Sequence, residues 1–352
     1  VILALQSTTF GVYGGIPTYN RLICRALNDF LGAFEKRVLI ATDSLRDVEP
    51  RRAELPYLGL EAFARKRNPF VFTVLKLGLT KGIDLALIGH VNYAPLGWML
   101  KQMQPSLRYG VIIYGIDAWQ TLGGVRGHAL RNADFIISIS DFTAQKAVAA
   151  NGLAAGRIHL LPNALEWTEA TRQNTPVPPS AIKGTMLLSV CRLDENERYK
   201  GVDKVIEALP EVARKVPNVQ YLVVGGGTDL ERHKELALSC GVSERVHFLG
   251  FVDDDSLRAC YRDCDLFVLP SAGEGFGFVF LEAMKYGKAI VAANSGGAPE
   301  VVVDGLSGRL VEYGDREQLP QTLTDLCLDA EKRREMGQAG HTRLVENYTY
   351  EH

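Results

Sequence analysis

The chain has 352 residues, of which 47% are apolar and 23% charged, with a formal net charge of −2. That length exceeds one ordinary core and predicts two domains of roughly 165–180 residues each. The composition is that of a globular protein and excludes a disordered or fibrous chain, and no run approaches the ~18 apolar residues a membrane span needs.

The near-neutral total hides an asymmetry. Residues 1–170 carry 18 Lys and Arg against 13 Asp and Glu, and the remainder carries 21 against 28. A basic front half and an acidic back half imply that one domain faces something anionic. Six cysteines stand without C-x-x-C or metal-ligand spacing. They read as buried free thiols in a reducing cytoplasm. No signal-peptide pattern opens the chain. It begins on an apolar strand with Val1 rather than Met, which leaves room for a longer gene product.

Residues 1–5 read as a buried strand, followed by Gly11-Val-Tyr-Gly14-Gly15 and a helix over 16–31. A dinucleotide site would need G-x-G-x-x-G and an acidic residue at the next strand's end, and this loop has no such spacing. Strands follow at 37–41, 83–89, 108–114, 134–140 and 157–161, with helical segments between. Such alternation predicts a parallel sheet covered on both faces. Ligands of these sheets bind at the strands' carboxyl ends. Three stretches lie there: Gly89-His90-Val-Asn92-Tyr93, Tyr114-Gly115-Ile116-Asp117-Ala-Trp119 and Ser138-Ile-Ser140-Asp141. A lone His after a strand is more often structural, so His90 stands as a candidate beside that ordinary role.

Residues 61–82 mix basic side chains (Arg65, Lys66, Arg67, Lys76, Lys81) with Phe70, Phe72 and neighbouring aliphatics. The segment is either a contact with an anionic membrane surface or an ordinary surface helix. From Pro162 the composition turns Pro-, Thr- and Ala-rich. A linker is assigned to 166–184, between a first domain at 1–165 and a second at 185–340.

The second domain opens with a strand at 185–190 and the loop Cys191-Arg192-Leu-Asp-Glu-Asn-Glu197-Arg198-Tyr199-Lys200-Gly201. Arg198 reads as a solvated loop charge. Strands at 220–224 and 245–249 lead into Gly225-Gly226-Gly227 and Gly250-Phe251-Val252. Asp253-Asp254-Asp255 reads as a helix N-terminus rather than a metal site. No carboxylate cluster has the pattern of a Mg²⁺ site, so no metal and no cofactor are expected. No solenoid-period repeat is evident, and no nucleic-acid partner is expected.

A short buried strand at 266–269 ends at Pro270, and Gly273, Gly275 and Gly277 precede a helix over 278–286. Strand, glycine loop and helix N-terminus present N–H groups and partial positive charge to an anion. Glu274 sits in the loop and Glu282 in the helix's second turn, where side chains lean back toward the ligand side. A phosphate alone would not want two carboxylates. A ligand with phosphate in its middle and hydroxyl-rich sugars at both ends would, and that is the shape of a nucleotide-sugar.

Glu274-x7-Glu282 within P-S-x-x-E-G-F-G-x-x-x-L-E-A-M-x-x-G, followed by Gly296-Gly297-Ala-Pro-Glu300, resembles the retaining glycosyltransferases of family 4, the group 1 family. The resemblance covers most of the chain. It implies the GT-B fold: an α/β chain of two Rossmann-like, doubly wound parallel-sheet domains facing across a cleft. The acceptor belongs to the first domain and the nucleotide-sugar to the second, with a tail at about 340–352 expected to cross back onto the first.

The resemblance also assigns roles. Gly14 and Gly15 would form the loop where the donor's phosphates meet the acceptor. Arg192 and Lys200 would hold the donor diphosphate, and Phe251 would lie where the base stacks. Gly275, Phe276, Gly277 and Phe278 would approach the donor closely. Glu274 would accept from hydroxyls of the transferred sugar and Glu282 from the ribose diol. Tyr114 stands where the family usually has histidine in H-G-x-[DE]-x-W, so His90 or Tyr114 itself would substitute, with Asp117 beside them. Asn163 matches a cleft position.

The Glu197-Arg198-Tyr199-Lys200-Gly201 run is similar to that of bacterial exopolysaccharide mannosyltransferases using GDP-mannose. The expected activity is therefore retaining, metal-independent hexose transfer to a glycan or polyprenyl-linked acceptor in surface polysaccharide biosynthesis, at the cytoplasmic side of a membrane. A UDP-sugar donor is the near alternative. A nucleotide-sugar epimerase, a non-catalytic binding module and a retaining glycosidase with carboxylates about 5 Å apart are the distant ones. Arg192, Lys200 and the helix end have no use in a glycosidase.

Overall fold

The computed structural model describes residues 1–30, 34–165 and 182–352. Within them the chain divides into two units, Val1–Ala164 and Leu165–His352. The linker assigned to 166–184 lies, apart from its last three residues, outside the described ones.

The first unit carries strands β1 (Ile2–Gln6), β2 (Lys36–Ile40), β3 (Gly59–Ala62), β4 (Leu85–Ile88), β5 (Arg108–Ile113), β6 (Phe135–Ser138) and β7 (Ile158–Leu160). Its helices are α1 (Gly15–Phe30), α2 (Leu45–Val48), α3 (Arg67–Thr80), α4 (Ala94–Met103), α5 (Gly124–Arg131) and α6 (Asp141–Asn151). All strand pairs are parallel, in the order β3-β2-β1-β4-β5-β6-β7. β1 is buried along its whole length, which is why it reads as a continuous apolar run.

The second unit repeats the plan with β8 (Thr185–Val190), β9 (Val219–Val224), β10 (Val246–Gly250), β11 (Leu266–Leu269), β12 (Ala289–Ala293) and β13 (Gly308–Val311). Helices α7 (Val202–Lys215), α8 (Leu230–Ser239), α9 (Asp254–Asp263), α10 (Phe278–Lys285), α11 (Ala298–Val301), α12 (Gln318–Leu328) and α13 (Ala330–Asn347) accompany them. The order is β10-β9-β8-β11-β12-β13, again all parallel. On α7, Val202, Val205, Ile206, Leu209 and Val212 are buried at helical spacing, a stripe that faces the sheet and leaves the charged residues outside.

In each sheet the strand order reverses once, at β1/β4 and at β8/β11. The loops leaving those strands flank the switch points where doubly wound sheets bind ligands. Two strands escape the sequence reading, β3 and β13. Both are four-residue edge strands in which only part of the run is buried, so neither carries the apolar signature of a central strand.

The tail expected at 340–352 is part of the second unit. Arg343 donates to the carbonyls of Glu300 (2.8 Å) and Val301 (3.0 Å). The Tyr348 ring meets Phe276 edge-on at 5.5 Å. Asp253 caps α9 by accepting from the Ser256 N–H at 2.7 Å, which accounts for the acidic triplet as a helix start.

Candidate active site

At the second unit's switch point, the loop leaving β8 and the loop leaving β11 meet in an ion pair. Lys200 Nζ lies 2.6 Å from Glu274 Oε1. Glu274 is only 8% exposed. Burial works to depress the Lys200 ammonium, but the charge and hydrogen bond of Glu274 outweigh it and hold Lys200 above its ordinary range. Lys200 is thus a fixed positive charge. Tyr199 supports it from one side, with the ammonium 5.4 Å from the ring centroid. The same ring lies against Gly273, where an added Cβ would come within 2.8 Å of it.

The 271–278 loop is held by the segment after β12. The Gly297 N–H donates to the Glu274 carbonyl at 2.8 Å, and Ser295 Oγ donates to the Ala272 carbonyl at 2.9 Å. A Cβ on Gly296 would sit 2.4 Å from the Glu274 oxygen, and one on Gly297 2.3 Å from the Gly275 oxygen. The Gly296-Gly297 pair is thereby explained: backbone lies on backbone there, with no space for a side chain. Gly277 takes φ +95 as α10 begins, which only glycine adopts readily. Among the described residues, the N–H groups of Gly275, Phe276 and Gly277 have no acceptor within the chain. Phe276 is buried, so what it offers a ligand is its backbone.

Arg192 is exposed and pairs with Glu197 of its own loop. Glu197 keeps its second oxygen buried without a partner. Arg192 and Lys200 line one groove with Glu197 and Gly201. Arg198 is exposed, as expected of a solvated loop charge, and also bonds Asp229 at 2.8 Å. Asp229 also holds Arg232, and those two guanidinium groups, Arg232 first, bring its carboxyl down to about 2 against the opposing effect of burial. The pairing follows from α8: Asp229 stands at its start, buried, and demands a cation.

Glu282 is not left free by the helix. Its Oε2 accepts from Tyr261 on α9 at 2.6 Å, and burial raises its carboxyl despite that bond. Phe251 is 81% exposed and lies over Gly226.

In the first unit, Gly14 and Gly15 stand at the start of α1, and the Gly14 carbonyl accepts from the Thr18 N–H at 3.0 Å. The preceding loop is closed. The N–H groups of Thr9, Phe10 and Gly11 all donate to Asp43 Oδ2 at 3.0, 2.7 and 3.2 Å, and Thr8 Oγ1 donates to Oδ1 at 2.7 Å. Asp43 follows β2 and was not singled out from the sequence, although an acidic residue after the second strand is a recognisable position.

Tyr114 donates its hydroxyl to Asn20 Oδ1 at 3.1 Å, and burial raises its phenol well above the ordinary range. His90 stacks against it, with centroids 6.4 Å apart. Burial first and the charge of Arg126 second lower His90. Asp117 accepts from the Tyr114 N–H at 3.0 Å, and burial pushes its carboxyl up to about 6. Asp117 Oδ2 and Asn163 Oδ1 are both buried without a partner among the described residues. Sequence reasoning missed Tyr199, Asp229, Tyr261 and Arg126. The first is adjacent to a motif lysine, and the others carry no signal at sequence level.

The profile of the family Glycosyl transferases group 1 matches residues 173–343. A GDP-mannose-dependent monoacylated alpha-(1-6)-phosphatidylinositol monomannoside mannosyltransferase of Corynebacterium glutamicum is 30% identical over 96% of this chain and 91% of its own length. A GDP-mannose-dependent alpha-(1-6)-phosphatidylinositol monomannoside mannosyltransferase of Mycolicibacterium smegmatis is 33% identical over 62% of this chain, a match spanning 59% of that relative's length. Among solved structures, Anabaena Alr3699/HepE in complex with UDP superposes with a TM-score of 0.77 at 21% identity, covering 99% of this chain and 96% of that one.

Proposed function

The chain belongs to the group 1 glycosyltransferases, with two parallel-sheet α/β units of the GT-B class, and from that premise we propose a retaining mannosyltransferase. It takes mannose from GDP-mannose and passes it to a glycan or lipid-linked acceptor in surface polysaccharide biosynthesis. The observation that carries the site is the Lys200–Glu274 pair, set between the two loops of the β8/β11 switch point.

The leaving group is a nucleoside diphosphate, so catalysis must stabilise growing negative charge. Lys200, Arg192, the N–H groups of Gly275, Phe276 and Gly277, and the start of α10 supply that charge without a divalent ion. A cation about 4 Å from a phosphate charge gains very roughly 4 kcal/mol at an effective dielectric of 20, before desolvation. Arg192 exchanges Glu197 for the diphosphate. Glu274 accepts hydroxyls of the transferred sugar, and Glu282 uses Oε1 for the ribose diol, since Oε2 is taken by Tyr261. The acceptor attacks on the face from which the diphosphate departs, the leaving phosphate takes its proton, and configuration is retained. Gly14, Gly15 and Phe278 border the donor, Phe251 receives the base, and His90, Tyr114, Asp117 and Asn163 form the acceptor side.

The enzyme acts at the cytoplasmic face of a membrane in this reading. Six free thiols favour that compartment. No helix among the described residues is long and apolar enough to cross a membrane. On α3, Phe72 and Leu79 are 68% and 78% exposed with Lys76 between them, and Arg65, Lys66 and Arg67 are exposed just before. That face suits peripheral contact with anionic lipid.

A thermal-shift panel of GDP-, UDP- and ADP-sugars tests the donor, since a specific ligand stabilises once it exceeds its dissociation constant. GDP-mannose should give the largest shift, without added metal, and NMR of the product should show the donor's anomeric configuration. A larger shift with a UDP-sugar would move the donor assignment. Inverted product would remove the mechanism.

A further inference from the structure

We propose that His90 and Arg126, both oriented by Asn92, form an anion-recognising subsite on the first unit that takes a phosphate ester of the acceptor. The inference rests on the glycosyltransferase reading and narrows its acceptor to a phosphorylated one.

β4 ends at Ile88, beside the β1/β4 switch point, and the chain then makes a single 3-10 turn at Val91–Tyr93 capped by His90. His90 Nδ1 accepts the Asn92 N–H at 3.1 Å. A nitrogen that accepts carries no proton, so the neutral ring holds its proton on Nε2 and presents an N–H donor. The ring does not swing freely, because it stacks on Tyr114, which is tied to the fully buried Asn20.

Asn92 has a second function. Its side-chain Oδ1 accepts from Arg126 Nη1 at 3.0 Å. One residue thereby fixes both neighbours, the histidine through its backbone and the arginine through its side chain. Arg126 is exposed in the first turn of α5 and pairs with no carboxylate among the described residues. Its remaining N–H groups stay available, and its charge is felt at the His90 ring.

The set is thus two directional N–H donors, one of them cationic, and neither is paired with a carboxylate among the described residues. A sugar's hydroxyls need acceptors as well as donors, and this cluster offers few. An oxyanion needs donors only, and a guanidinium fork matches phosphate geometry. The donor's diphosphate is assigned to Lys200 and Arg192 on the other unit, so the phosphate read here belongs to the acceptor. Two sources share that chemistry, the phosphodiester of a phospholipid headgroup and the diphosphate of a polyprenyl carrier.

Calorimetry on the full chain, with GDP and UDP both saturating to occupy the donor cations, tests the subsite. The probes are dihexanoyl phosphatidylinositol, geranyl diphosphate and, as the uncharged control, dihexanoylglycerol. A phosphate probe should bind and the control should not, and whichever phosphate probe binds identifies the source. Arg126→Ala should weaken that binding at least about tenfold, the loss of one charge-assisted hydrogen bond, and Arg126→Lys should restore part of it. His90→Gln, which keeps an N–H, should weaken it less than His90→Ala. Asn92→Ala keeps the backbone N–H on His90 Nδ1 and removes the acceptor of Arg126, so phosphate binding should weaken while the His90 ¹⁵N resonances stay those of the Nε2–H tautomer, a separation that general loosening of the loop would not give.

Equal binding of the uncharged control, or unchanged affinity in Arg126→Ala, overturns the subsite. If the nucleotides bind and neither phosphate probe does, this inference fails and the transferase reading stands. If Arg126-dependent phosphate binding persists while neither nucleotide binds, the transferase reading is the one that fails.

Discussion

In the first unit the loop after β1 turns three N–H groups onto the Asp43 carboxylate; in the second, the loop after β11 turns Gly275, Phe276 and Gly277 toward no acceptor among the described residues. Both loops flank the switch point of their sheet, though from opposite sides, since β1 is the counterpart of β8 and β11 that of β4. A nest neutralised by its own chain has no capacity left for a second anion. The second loop keeps its N–H groups and adds Lys200, whose charge Glu274 secures. The two switch-point loops therefore differ in where each places one carboxylate: inside the nest at Asp43, or against the cation beside the nest at Glu274.

The largest expected effect comes from removing that cation. Lys200→Ala should lower kcat/KM for sugar transfer by roughly 10²–10³, the loss seen when one donor to a developing oxyanion is deleted. It should also destabilise the fold, because Glu274 is left buried without its counter-charge. Transfer at the wild-type rate would break the comparison at its centre. Gly297→Ala should be next. Its Cβ would meet the Gly275 oxygen at 2.3 Å, so the loop must shift. Roughly 1–3 kcal/mol of stability should be lost, with nucleotide binding weakened about tenfold in the thermal-shift assay.

Much of this contrast was legible in the sequence, though not its decisive part. The central strands read correctly because a parallel strand buried on both faces is a continuous apolar run, as in Ile2–Gln6 and Leu266–Leu269. The edge strands β3 and β13 did not, being short and half exposed. Lys200 and Glu274 each stood out within a motif, but nothing in a one-dimensional pattern joins residues 74 positions apart. Tyr261 was invisible for the same reason, since it acts through a contact made only when its helix is packed, whereas Asp43 stands at a recognisable position after the second strand and was passed over. Arg198 is exposed as its loop implied, but its partner Asp229, at the start of α8, could not be read from that loop.

Asp43→Asn tests the closed nest directly. The substitution keeps the shape and removes the charge that collects the N–H groups of Thr9, Phe10 and Gly11. Hydrogen bonds to a charged group contribute about 1.5–3 kcal/mol, so a loss of about 2 kcal/mol in denaturant unfolding is expected. Nucleotide affinity should stay at its wild-type value. A fall in affinity with unchanged stability would assign Asp43 to the ligand rather than to the fold.

The smallest effect separates the units by sign. Asp229, in the second unit, has its carboxyl held down at about 2 by Arg232 and Arg198. A folded-state value below the unfolded one adds stability that is present above about pH 4 and disappears as pH falls through 2. Asp117, in the first unit, is pushed up to about 6 by burial. The folded state then binds the proton more tightly than the unfolded one, so a penalty grows as pH rises from about 4 to 6 and persists above. Melting temperature against pH should show it. Asp229→Asn should be less stable than wild type at pH 7, with the difference closing toward pH 2. Asp117→Asn should gain on wild type as pH rises from 4 to 7. If Asp117→Asn instead lost ground on wild type from pH 4 to 7, Asp117 would have a counter-charge in solution, contrary to the burial that raises it.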